Sequence, residues 1–250
     1  MRESLVMPER KTGGIWETVK TLVYAIAIAL VVRTFAFEPF NIPSGSMKPT
    51  LLVGDYLFVS KFAYGYSRYS LPLGLPLFSG RIFEELPERG DVVVFKLPSD
   101  GRTDYIKRVI GLPGDKIQVK DGILQINGTP VTQEQVGQFD EDFEGRAVPV
   151  PMYQEKLPNG RNHLIIDLTT AGSLDNTGVF EVPPDHIFAM GDNRDNSLDS
   201  RVANVGYIPV ENLIGRAELI FFSVNGRSSF WQPWTWPWGI RYDRLFTFIH

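Results

Sequence analysis

Apolar and polar positions divide the chain into one helical stretch near the N-terminus and a long remainder of shorter period. Residues 15–37 are predominantly apolar, and their core, 22–32, carries no charge. At about 1.5 Å per residue a helix of this length reaches about 34 Å, enough to cross a hydrocarbon layer of about 30 Å. Trp16 at one end and Phe35 and Phe37 at the other suit membrane interfaces, Arg33 can snorkel, and Pro39 is expected to stop the helix. A cleavable secretory signal is the competing reading, because the same run follows Arg10, Lys11 and Lys20. Thr34-Phe35-Ala36 is a poor cleavage site, however, and we read an anchor. Arg2, Arg10, Lys11 and Lys20 before the span set its orientation, with the N-terminus in the cytoplasm and all that follows outside.

Beyond Pro39 the pattern becomes short alternating or fully apolar runs separated by Gly, Pro and Asp, which predicts a mainly β domain. Strands are expected at 56–61, 91–96, 105–111, 116–120, 123–126, 187–190 and 213–223. Asp121-Gly122 and Asn127-Gly128 are turn dipeptides, so 116–131 reads as hairpin structure. Residues 132–184 are richer in acids and prolines and read as an inserted subdomain with at least one strand, at 162–168. The expected organisation is a tail at 1–14, an anchor at 15–37, a catalytic domain at 38–131 and 185–250, and the insertion at 132–184. Prolines prevent the tryptophan-rich stretch 230–238 from spanning a membrane; it is expected either to lie at a membrane surface or to cover the sheet.

Composition narrows the chemistry by exclusion. There is no cysteine among the 250 residues, and the histidines are His163, His186 and His250. Thiol catalysis and a Cys/His zinc site are therefore excluded. A Ser-His-Asp triad would have to use one of these histidines, and His186 sits in the turn-like Pro183-Pro184-Asp185-His186. A net charge of −4 without a basic run argues against nucleic acid as a partner.

A serine can instead be activated by a lysine, provided burial keeps the amine neutral. Ser46 lies in Ile42-Pro43-Ser44-Gly45-Ser46-Met47-Lys48-Pro49-Thr50-Leu51, just beyond the span, and Lys107 follows Tyr105 and Ile106 and precedes Val109 and Ile110. Pro43 and Pro49 stiffen the first motif, and the Ser44 hydroxyl with the Ser46 N–H can form an oxyanion hole. A third polar cluster, Gly191-Asp192-Asn193-Arg194-Asp195-Asn196-Ser197-Leu198-Asp199-Ser200-Arg201, can be a solvated loop, a metal loop or a network supporting a site. The last explains its mixture of acids and arginines best.

These blocks, with 89–95 between them, resemble the bacterial type I signal peptidases, the leader peptidases of the Ser/Lys class. The resemblance implies Ser46 as nucleophile, Lys107 as general base, and Ser44 with the Ser46 amide as oxyanion hole. It further implies that Ser197 orients the lysine amine, with Asp199 and Arg201 as a supporting ion pair. Ile42, Met47, Leu51, Tyr105 and Ile106 would wall a small S1 pocket, with Phe40 towards S3. Coiled antiparallel sheets, preprotein substrates bound as an extended strand and cleaved after Ala-x-Ala, and no metal or organic cofactor follow from the same resemblance. So does a place in the bacterial inner membrane, with the bilayer and the secretion translocon as further partners. Unlike the two-span members, this chain shows one span. The competing functions are a self-cleaving repressor-type protease, for which Ala171-Gly172 is a candidate cut, and a non-enzymatic tethered β module.

Overall fold

The computed structural model describes residues 14–71, 74–75, 77–143, 146–169, 171–225 and 231–250. The charged residues Arg2, Glu3, Glu9, Arg10 and Lys11 that set the expected orientation, and Phe230 of the tail, lie outside the described residues.

The apolar run forms a helix, α1 (Ile15–Phe35), exposed along almost its whole length and long and apolar enough to cross a membrane. It ends earlier than expected, and Pro39 is not what stops it. Ala36 still donates to Val32 O, after which the chain enters β1 (Phe37–Asn41), so Phe37 belongs to a strand. The proline is tolerated there because β1 is an outer strand whose ladder partner is β2 (Asp55–Ser60), with Pro39 opposite Phe58. Glu38 holds the junction, pairing with Arg33 at 2.6 Å and with the buried Lys61 at 2.8 Å.

The remaining strands are β3 (Val92–Lys96), β4 (Asp104–Gly111), β5 (Lys116–Lys120), β6 (Ile123–Ile126), β7 (Thr129–Pro130), β8 (Thr132–Phe143), β9 (Arg146–Lys156) and β10 (Asn162–Ile166). They are followed by β11 (Phe180–Glu181), β12 (His186–Met190), β13 (Ile208–Pro209), β14 (Leu213–Ser223) and β15 (Thr247–Phe248). One antiparallel sheet runs β1-β2-β14-β3-β4-β12-β13, with β15 added to β14. Its long strand β14 pairs with β3 near its start and with β2 beyond, with register shifts along both ladders that coil the sheet. The mainly β, coiled antiparallel architecture is therefore the one expected.

Strand β3 is buried on both faces, which is why it reads as an unbroken apolar run. Val92 and Val94 join a cluster with Ile42, Met47, Leu51 and Leu57, while Val93 and Phe95 join another with Val109, Ile187 and Leu213. A four-stranded sheet, β11-β5-β6-β7, packs around Ile117, Leu124, Ile126 and Phe188. Its two Asx-Gly turns have positive φ at both residues, Asp121 and Gly122, then Asn127 and Gly128, the backbone that favours these dipeptides.

The stretch 132–184 carries the strand expected near 162–168 as β10 and two longer ones besides. Its main feature is the hairpin of β8 and β9, which with β10 forms a three-stranded sheet. Most β8 positions are exposed, so no apolar alternation announces the strand. The tryptophan-rich tail is divided: Trp236 packs on Phe222 with ring centres 5.1 Å apart, whereas Trp231, Trp234 and Trp238 are largely exposed.

Downstream of those tryptophans the chain returns to the loop between β1 and β2. Arg244 donates to both carboxylate oxygens of the buried Asp55, at 3.1 and 2.6 Å, and to Thr50 O at 2.9 Å. Asp55 also accepts from Leu52 N and Ser223 Oγ. Replacing Asp55 with alanine leaves the arginine and these donors unpaired, and is expected to cost about 3–5 kcal/mol. Denaturant unfolding of the detergent-solubilised protein checks this, and a loss below about 1 kcal/mol would contradict it.

Candidate active site

Loop 42–54 is closed by Ile42 N donating to Asp55 O and Gly54 N donating to Ile42 O, and is pinned from beneath by the fully buried Met47 and Leu51. Between these anchors Ser46 is held beside Lys107 of β4, whose partner across the sheet is Val93. Lys107 Nζ lies 2.6 Å from Ser46 Oγ and donates to Ile106 O at 2.9 Å. Both side chains are buried, with 3 % of Lys107 and 8 % of Ser46 exposed. Burial pushes the lysine pKa down to about 8; the Asp199 and Asp192 carboxylates oppose this shift and Arg201 reinforces it.

The polar cluster 191–201 folds against this pair as a network. Asp199 accepts from Arg201 Nε and Nη2 at 2.9 and 2.8 Å and from Gly191 N at 3.0 Å. Asp192 takes a two-point pair from Arg108, both contacts 2.8 Å, and a 2.5 Å bond from Thr50 Oγ1. Asn193 holds the serine loop by its carbonyls, donating from its backbone to Ser46 O and from its side chain to Gly45 O. Arg194 reaches Glu155 of β9 at 2.7 Å.

Above the pair lies a cleft of about 410 Å³ bordered by Phe40, Ile42, Ser44, Ser46, Tyr105, Ile106 and Lys107. Among the described residues the Ser44 hydroxyl and the Ser46 N–H carry no hydrogen bond, and Ser44 is exposed. Met47 and Leu51, expected in the cleft wall, are instead in the core below it, because the loop needs apolar anchors on its inner side. Ser197 is buried nearby, but its Oγ has no hydrogen-bond partner; the lysine amine is held by Ile106 O instead. Asp104, Val94, Asn196 and Leu198 also border the cleft, the last two from the polar cluster 191–201.

No histidine borders the cleft. His186 Nδ1 is bound to Pro184 O, and His163 lies 3.3 Å from Glu155 on the inserted sheet. Asp192 is engaged by Arg108 and Thr50, and Asn193 holds the serine loop through its N–H donors. One carboxylate oxygen each of Asp167, Asp175 and Asp195 lies within 4.8 Å of the others. These three could hold a hard cation; burial and the Asp195 charge push Asp167 up to about 7.

Comparison with known proteins gives this geometry a family. Residues 15–222 match the family model described as signal peptidase, peptidase S26. The chain belongs to the signal peptidase family. It is 47% identical to signal peptidase I of Rickettsia typhi over 211 residues, covering 81% of this chain and 78% of that one. A second relative, signal peptidase I of Rickettsia canadensis, is 47% identical over 214 residues, covering 82% and 79%. A solved signal peptidase I from Enterococcus faecalis aligns over 53% of this chain and 97% of that one, at 23% identity and a TM-score of 0.32. Membership makes the protein an enzyme of a serine protease family and sets aside the non-enzymatic module.

Within this peptidase Gly191 is a site residue that sequence reading passed over. A Cβ there would stand 2.2 Å from Ser197 Oγ and 2.5 Å from Ser46 O. The only available signal was a glycine opening a dense polar run. Gly191→Ala is expected to destabilise the protein by about 1–3 kcal/mol and to depress peptide cleavage, since relief of the clash moves the serine loop. Thermal melts beside turnover of a peptide substrate test this, and wild-type turnover would contradict it.

Proposed function

We propose that this peptidase removes N-terminal signal peptides from exported preproteins through a Ser46/Lys107 dyad. The contact that carries the reading is the 2.6 Å approach of a buried lysine amine to a buried serine hydroxyl. Neutral Lys107 takes the Ser46 Oγ proton as Oγ attacks the scissile carbonyl carbon. The resulting oxyanion accepts from the Ser46 N–H and the Ser44 hydroxyl. Collapse breaks the C–N bond, the lysine proton passes to the departing amine, and an ester remains on Ser46. Lys107 then deprotonates a water that hydrolyses the ester and releases the signal peptide.

The preprotein lies in this reading as an extended strand beside residues 40–44 and 104–106, bound by its main chain. Phe40, Ile42, Tyr105 and Ile106 supply apolar walls that favour small side chains, which fits Ala-x-Ala before the cut. Ser197 is assigned to steadying the lysine amine through a rotation of its unpartnered hydroxyl, and the Asp199–Arg201 pair to fixing that segment.

An unfolded chain carries lysine near 10.4 and the folded one carries Lys107 at about 8. Between these values the unfolded chain binds the extra proton, so Lys107 contributes a stability that rises with pH and opposes folding below pH 8. Activity should rise through the same pKa. Ser46→Ala and Lys107→Met are expected to lose nearly all cleavage, with Lys107→Met also raising the melting temperature at pH 7. Lys107→Arg should be inactive although charge is kept, because a guanidinium does not give up its proton. Turnover of a preprotein across pH, with sequencing of the new N-terminus, tests the set; substantial activity in either lysine variant would place the base elsewhere.

The proposed location is the bacterial inner membrane, crossed once by α1, with the N-terminus cytoplasmic and the catalytic domain periplasmic beside the secretion translocon. Protease added to spheroplasts should degrade the domain and spare the first residues. Full protection of the domain would reverse the orientation.

A further inference from the structure

We propose that the inserted β8–β9 hairpin positions the nucleophile loop through an ion pair between Lys48 and Glu141, an inference that rests on the Ser46/Lys107 reading. Lys48 lies two residues beyond Ser46, and its Nζ is 2.6 Å from Glu141 Oε1 on β8, 93 residues away in sequence. The contact is largely withdrawn from water, with 16 % of the Lys48 side chain and 8 % of the Glu141 side chain exposed. Its setting is unusual for this hairpin. Most of β8 faces solvent, yet Glu141 is the buried residue of the strand.

The lysine stem is as informative as its charge. A Cβ placed on Gly45 would lie 3.1 Å from Lys48 Cε and 3.3 Å from its Cδ, so the extended Lys48 chain lies over the backbone beside the nucleophile. The same short segment is held at its carbonyls by Asn193. Asn193 and Lys48 thus hold Gly45 and Ser46 from two separate parts of the fold. Among the described residues Glu141 has no second partner, its Oε2 being buried and unpaired, so its charge depends on Lys48.

An ion pair this withdrawn from water gains little net stability over apolar residues of the same size, whereas removing one member leaves an uncompensated buried charge. What the pair supplies is a fixed distance. The lysine stem cannot shift without breaking a 2.6 Å contact, and Oγ must stay in reach of both the amine and the scissile carbonyl. Lys48 and Glu141 are therefore positioning residues, and the hairpin is a brace for the catalytic loop.

The test is a double-mutant cycle with Lys48→Met, Glu141→Gln and the two combined, measured on the full-length enzyme in detergent with a peptide substrate and normalised to the folded fraction. Each single variant is expected to lower kcat about tenfold while KM stays within about twofold, as displacement of a reacting atom without loss of binding requires. The double variant should be no slower than the slower single one. The exchanged pair Lys48→Glu with Glu141→Lys should recover part of the lost kcat. Three results would overturn the proposal: wild-type kcat in both single variants, effects that multiply in the double variant, or a lower melting temperature with unchanged kcat per folded enzyme. Ser46→Ala serves as the control. Should it retain activity, the dyad itself is wrong; should it be inactive while the cycle shows no coupling, only the brace is wrong.

Discussion

In the proposed mechanism a lysine amine must be neutral to take a proton, and here it must be so against the pull of two carboxylates. Asp199 and Asp192 both favour the charged lysine, so burial alone would be opposed from two sides. Each carboxylate is held by its own arginine, Arg201 and Arg108, in a pair with at most 1 % of either side chain exposed. Arg201 opposes that pull and, with burial, keeps the lysine pKa low. The Asp199–Arg201 pair and depression of the lysine pKa thus belong to one electrostatic arrangement, and loss of Arg201 would raise the amine pKa without touching it.

The same pairs connect distant parts of the chain. Arg108 belongs to the strand that carries the lysine, and its partner Asp192 also accepts from Thr50 of the serine loop. Arg201 reaches Arg194 O, and Arg194 continues to Glu155 in the inserted sheet. Buried ion pairs are poor sources of stability but narrow the geometries a site can adopt. Here they fix the separation of two strands and a loop to which the reacting atoms are attached.

Much of the central sheet was legible because its strands are buried on one or both faces. The runs Val92–Lys96, Lys116–Lys120, Ile123–Ile126 and Leu213–Ser223 emerge close to where the apolar pattern put them. Strands β8 and β9 were not legible, because the less exposed face of β8 carries Gln133, Gly137, Phe139 and Glu141 and β9 buries Val150 and Glu155, so burial there follows no hydrophobic period. Ser46 and Lys107 could be found from residue chemistry, since burial and a base are local requirements. Asn193, Gly191 and the Arg108–Asp192 pair depend on contacts spanning 84 to 148 residues, and local pattern carries no record of these. Met47 and Leu51 show the converse limit: the sequence marks them as apolar, but only the fold says that they point down into the core.

The clamp of Arg244 on Thr50 and Asp55 also has a meaning in time. The serine loop is made early, near residue 46, whereas one of its restraints comes from residue 244 and another strand of the sheet from Thr247–Phe248. A chain made only as far as residue 240 therefore has its serine loop but lacks these restraints. The loop is fully restrained only through contacts made across 189 and 194 residues of chain, so its order depends on the folding of the whole domain.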